Sequence, residues 1–174
     1  MINSAVEKAF NEQIKHEMES AYLYYAMSAW FTKEGFDGMA NWMMIQKDEE
    51  LFHTQKFFDH ILDRAGTVKV PSTDEPKHEW KDPLDAFEAA YKHEQFITDK
   101  INDLVKLAHK EGDYASVEFL QWFVKEQVEE EDSASKIVNK IKITGKEGHA
   151  VMMIDAELGQ RPAVVQRVAP TEEK

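Results

Sequence analysis

Apolar residues recur every three to four positions through most of the chain, with polar residues filling the opposite faces. That spacing is the mark of amphipathic helices, and no stretch carries the alternating pattern of a strand. The pattern predicts helices over about 4–34, 38–65, 83–111 and 113–143, then a short fifth over about 146–158 stopped by Gly159 and Pro162. The five prolines, at 71, 76, 83, 162 and 170, stand at or outside the edges of these segments. The first and second helices join across a few residues, as do the third and fourth, whereas 66–82 is too long for a tight turn. Two antiparallel hairpins joined by one long crossover make an all-α four-helix bundle, occupying residues 1–159 as one domain. The tail 160–174 reads as disordered.

The hairpins repeat each other. "KHE" at 15–17 returns at 92–94 and "KEG" at 33–35 returns at 110–112, both shifted by 77 positions. The same shift carries Glu49, Glu50 and His53 onto Glu126, Gln127 and Glu130. A third "KEG" at 146–148 shows that one tripeptide is cheap in a chain rich in Lys and Glu. One offset that aligns five landmarks in order points to a duplicated hairpin.

Each long helix has an apolar row interrupted near its middle. The rows run Phe10, Ile14, Glu17, Ala21, Tyr24, Ser28, Phe31, then Met39, Met43, Gln46, Glu50, His53, Phe57. They continue as Phe87, Ala90, Glu94, Ile97, Ile101, Leu104, Ala108, and Leu120, Phe123, Gln127, Glu130, Ala134, Ile137, Ile141. Measured from the turn that closes each hairpin, and at a rise of about 1.5 Å per residue, the interruptions fall within about 7 Å of one level. A lone Glu in such a row is commonly a rim residue, and a lone His a satisfied core residue. Four carboxylates at one level are another matter, because each uncompensated buried ion costs several kcal/mol. No Lys or Arg lies in these rows at that height. Two divalent cations cancel Glu17, Glu50, Glu94 and Glu130, and carboxylates with one imidazole suit iron, manganese or zinc.

Composition narrows the field. A net charge of −12 argues against nucleic-acid and anionic-membrane partners and favours cations. The absence of Cys removes disulfides, thiolate metal sites and thiol nucleophiles together. No apolar leader opens the chain and no run reaches 18 apolar residues, so a cytoplasmic protein is expected.

From about residue 3 to 158 the chain resembles a prokaryotic non-haem ferritin, on the joint motif Glu17, Tyr24, "EELFH" at 49–53, Glu94 and "EQVEE" at 126–130. The resemblance implies the ferritin-like di-iron bundle and an iron-storage role. Fe(II) would be oxidised by oxygen or peroxide and the ferric mineral kept inside a homo-24-mer, with the fifth helix near its four-fold axes. In that family pattern Glu17, Glu50 and His53 hold a first iron, and Glu50 bridges to a second held by Glu94 and Glu130. Gln127 is the hydrogen-bonding partner of that site, and Glu49, Glu126 and Glu129 match a third iron site. By itself, that acidic trio could equally be a solvated face. Tyr24 matches a site tyrosine able to hydrogen-bond a ligand or give an electron; Trp122 is a second candidate donor, although both could be simple core aromatics. No haem is expected, since Leu51 stands where haem-binding relatives place Met and the second motif lacks their His. Val117 and Leu120 stand where animal ferritins place acidic pore residues, which leaves the path of incoming iron open. The rival readings are a rubrerythrin-like di-iron peroxidase, against which stands the missing Cys, and a metal-free structural bundle. A miniferritin, whose site lies between subunits, fits less well because one chain here supplies every ligand.

Overall fold

In the computed structural model, which describes residues 1–145 and 148–162, the helical pattern resolves into five helices with no strand among the described residues. They are α1 (Ser4–Glu34), α2 (Asp37–Asp63), α3 (Pro83–Lys110), α4 (Tyr114–Thr144) and α5 (Gly148–Leu158). Positions 146–147, expected to begin the fifth helix, and 163–174 of the expected tail lie outside the described residues.

Local chemistry sets most of the ends. Asn3 accepts from the Ala5 and Val6 amides to start α1, and Gly35, at φ 85°, closes it in the left-handed conformation. Asp82 caps α3 ahead of Pro83, whose missing N–H costs nothing in a first turn, and Asp113 caps α4 through the Ser116 amide. The start of α2 is different: Phe36 has no side-chain acceptor to offer. Asp155 of α5 supplies it instead, its Oδ1 accepting from the Met39 amide at 2.8 Å. A carboxylate at a helix N-terminus also meets the positive end of the helix dipole, so this bond both caps α2 and docks α5.

α1 packs along α2 and α3 along α4, α1 and α3 bring the hairpins together, and α5 lies on α2 and α4. The buried apolar residues form two separate clusters. One holds Phe31, Met39, Met43, Phe87 and Ile137; the other holds Phe10, Ile14, Phe57, Ile101 and Phe123. Every residue of the four predicted rows is buried. The polar interruptions therefore form a layer across the middle of the bundle, sealed above and below by close-packed hydrocarbon.

The approach of α5 to α2 depends on Gly38, where an added Cβ would stand 1.8 Å from the Asp155 carbonyl oxygen. Alanine is ordinarily preferred to glycine inside a helix by about 1 kcal/mol. Here the clash is with backbone and cannot be relieved by a rotamer change. Gly38→Ala is expected to destabilise the chain by about 1–3 kcal/mol, read as a lowered Tm, despite the gain in helix propensity. An unchanged or raised Tm would show that α5 does not hold this position.

Candidate metal centre

The polar layer draws one group or more from each long helix. Glu17 comes from α1, Glu50 and His53 from α2, Glu94 from α3, and Gln127 and Glu130 from α4; all are between 0 and 6% exposed. Glu50 and His53 sit one turn apart on α2, which turns both toward the same volume, and His53 Nδ1 lies 3.2 Å from Glu50 Oε2. Ligand atoms of Glu17, Glu50 and His53 lie within 4.8 Å of one another, and so do those of His53, Glu126 and Glu130. Both triads could hold a cation, with His53 shared between them.

Glu94 joins neither triad. It is fixed from two sides: the Tyr24 hydroxyl donates to its Oε1, and Gln127 Nε2 reaches its Oε2 at 3.3 Å. Of the expected third set, Glu126 faces His53 and Glu130. Glu49 instead accepts from Arg161 Nη2 at 2.7 Å, and Glu129 is exposed, acting on Glu126 only through its charge. The grouping by geometry thus differs from the grouping implied by the family pattern, because the wheel position of a residue does not fix which way a long side chain turns.

Burial dominates the electrostatics. It pushes the carboxyls of Glu17, Glu50 and Glu94 above the usual range, and neighbouring Glu50 adds to the effect on Glu17 as Glu94 does on Glu50. Glu130 rises to about 8 through burial and then the Glu94 charge. The same two causes raise Tyr24, which keeps its phenol neutral and able to donate to Glu94. Glu126, half-buried, is also raised, first by burial. Without a cation, burial makes each of these carboxyls hold its proton more tightly than an exposed one does.

One atom is left over. Glu17 Oε1 accepts from Gln13 Nε2 at 2.9 Å, but Glu17 Oε2 is buried with no hydrogen-bond partner. A native core rarely leaves such an acceptor unpaired, and a metal ion would satisfy it. The donor set, oxygen-rich with one imidazole and no sulfur, fits iron.

The roles of four contributors were not apparent from the amino-acid order. Gln13 braces Glu17, and Gln46 Nε2 donates to Glu130 Oε2 at 2.7 Å. Gln13 stands four residues before Glu17, which was its available signal, and Gln46 already stood as a polar residue in the apolar row of the second helix. Lys56 lies 4.2 Å over the Trp122 ring, where its charge acts on Glu126, and Trp122 in turn lies edge-on to His53 at 5.4 Å. Arg161 had no signal in the sequence.

Comparison with known proteins agrees with this architecture. Residues 7–144 match the sequence model of the Ferritin-like domain. A bacterial non-heme ferritin of Bacteroides fragilis is 44% identical over 161 residues, spanning 92% of this chain and all of that protein. One from Escherichia coli O157:H7 is 37% identical over 158 residues, covering 91% and 96% of the two chains. Among solved structures, an open pore ferritin from Archaeoglobus fulgidus superposes with a TM-score of 0.92 at 44% identity, covering 93% of this chain and 99% of that one.

Proposed function

The chain belongs to the ferritin family, and on that premise we propose that it stores iron, oxidising Fe(II) in the buried polar layer and keeping the ferric product inside a shell of many copies, a homo-24-mer. The observation that carries the reading is the layer itself: four carboxylates and an imidazole in a sealed core, with a buried oxygen of Glu17 left without a partner. Metal chemistry resolves a cost that the fold otherwise bears for no structural return.

In this reading Glu17, Glu50 and His53 receive the first Fe(II), and Glu50 bridges toward a second received by Glu94 and Glu130. The four carboxylates neutralise two divalent ions, and a neutral site is the one the surrounding hydrocarbon tolerates. Tyr24 and Gln127 keep Glu94 aimed by donating to its two oxygens. Each iron gives up one electron to oxygen or peroxide. Trp122, edge-on to His53, and Tyr24, bonded to Glu94, are the aromatic groups placed to supply a further one. Large apolar side chains left in solvent on the single chain, Tyr114, Val128, Ile143 and Met153, suit burial between copies.

Sizing the purified protein and measuring its iron tests the proposal. A large assembly carrying many irons per chain is expected; a monomer or dimer with two irons would make it a di-iron redox enzyme instead.

A third iron position is proposed beside the layer, among Glu49, Glu126 and Glu129. Because Glu129 is exposed and outside both triads, Glu129→Gln should leave the first, two-iron oxidation as fast as in wild type. It should change the later iron-to-oxygen ratio or the recovery of the site between turnovers. Identical stoichiometry and recovery in oxygen-electrode measurements would reduce Glu129 to a solvated residue.

A further inference from the structure

The chain beyond α5 returns to the metal centre. After Leu158 it turns at Gly159 and Gln160, and the Asn41 side chain donates to the Arg161 carbonyl at 3.3 Å, fixing the backbone against α2. The Arg161 guanidinium then lies 4.9 Å over the Trp42 ring, donates to Glu49 Oε2 at 2.7 Å and donates to Gln46 Oε1. Its side chain and that of Glu49 are each about three-quarters covered. This is a held contact, with stacking, a charge pair and an anchored backbone together.

Two consequences follow from the chemistry of the guanidinium, which can only donate. First, it decides which way Gln46 faces. With Oε1 turned to Arg161, the Gln46 amide must present Nε2 to Glu130, where it donates at 2.7 Å. Second, it occupies Glu49 with a positive charge on the flank where Glu126 and Glu130 turn toward His53. A cation arriving there finds Glu126 already turned toward His53 and Glu130 but Glu49 paired with Arg161.

We propose that Arg161 is a positioning residue of the metal centre: it acts as the built-in counter-ion of Glu49, so that a further cation beside the central pair gains Glu49 only by displacing the guanidinium. This rests on the metal reading above. It makes the flank the weakest of the metal positions and the last to fill, and it ties its filling to movement of the segment after α5. When the cation takes Glu49, the guanidinium leaves the Trp42 face and Gln46 becomes free to reverse its amide.

Zinc alone, which is inert to oxidation, separates the possibilities in calorimetric titration of the metal-stripped, assembled protein. In wild type, two tightly held ions per chain and a weaker further one are expected. Arg161→Ala should tighten the weakest step about tenfold relative to the tight steps of the same titration. Arg161→Lys, which keeps the charge but loses the fork and the stacking, should fall between. In a Glu49→Gln background, Arg161→Ala should change nothing, which a merely structural role in docking α5 would not produce. Zinc should also shift Trp emission in wild type at the weakest step, and that shift should be absent in a Trp42→Phe variant. Equal weakest-step affinity in wild type and Arg161→Ala, with the tight ions present, overturns the role of Arg161 and leaves the metal centre standing. A wild-type protein that binds no zinc tightly overturns the metal reading, and this proposal with it.

Discussion

Glu50→Ala is expected to abolish rapid Fe(II) oxidation while the chain still folds and assembles. Glu50 is the one carboxylate close to both halves of the layer: it lies in a triad with Glu17 and His53, and the charges of Glu94 and Glu130 act directly on it. Even residues that only support a metal ligand cost about 10–100-fold when removed, so loss of the bridging ligand should cost at least about 100-fold in the initial rate. Stopped-flow absorbance after mixing with Fe(II) in air reads that rate. Stability provides the control. The buried carboxyl is costly without metal, so the isosteric Glu50→Gln variant, stripped of metal, should melt no lower than stripped wild type near pH 8. A wild-type oxidation rate in Glu50→Ala removes Glu50 from the chemistry, whereas a large drop in Tm of the Gln variant assigns it a structural role.

The second large effect is a pH dependence whose sign reverses with metal. Glu17, Glu50, Glu94 and Glu130 all hold their protons more tightly in the fold than a Glu near 4.3 does in an unfolded chain. Between about pH 4.5 and the raised values, about 8 for Glu130, the folded protein binds more protons than the unfolded one. Stability must then fall as pH rises through that window. Each tenfold gain in a carboxyl's affinity for its proton on folding corresponds to about 1.4 kcal/mol, and several groups contribute. The metal-stripped protein should therefore melt several degrees lower at pH 8 than at pH 6. Asp113, held below its ordinary range by the Asn3 amide and by Arg64, contributes in the opposite direction only at lower pH, whereas His16, His60 and His93, lowered by burial, oppose the fall at about pH 6–7 and reduce it without matching the four carboxyls. With saturating Zn(II), cations replace the protons and bind more strongly as the carboxyls ionise, so Tm should rise from pH 6 to 8. A stripped protein whose Tm rises over the same interval would mean that these carboxyls are ionised and paired without metal.

Both expectations depend on the layer being a liability to the fold, and that much is present in the amino-acid order alone. A period of 3.6 residues maps each buried row onto a helix face, so the stretches read as 4–34, 38–65, 83–111 and 113–143 return as α1 to α4 with ends shifted by at most two residues. Any charged residue inside such a row must lie at the level that its position along the helix dictates. Glu17, Glu50, His53, Glu94, Gln127 and Glu130 were therefore legible as one layer, and all of them are buried together. The crossover length supplied the topology, because a long connection between two tight hairpins leaves few ways to close a four-helix core.

What the tertiary structure decided lies between residues far apart in sequence, where no period operates. Glu49 and Glu126 occupy matching places in the two duplicated hairpins, yet one pairs with Arg161 and the other turns inward to His53 and Glu130. The difference comes from residues 159–161 after α5, which have no counterpart in the first hairpin and bring Arg161 onto α2 beside Glu49. Gln46 is a similar case: a buried polar residue in an apolar row could have been a simple core amide, and only the guanidinium on one side and Glu130 on the other give it a direction. Asp155 likewise reads as an ordinary acidic residue of a short helix until it meets the uncapped Met39 amide 116 residues away. Helix periodicity fixes which residues share a face. Which long side chains meet across faces is set by packing, and here by the close approach of α5 that Gly38 permits.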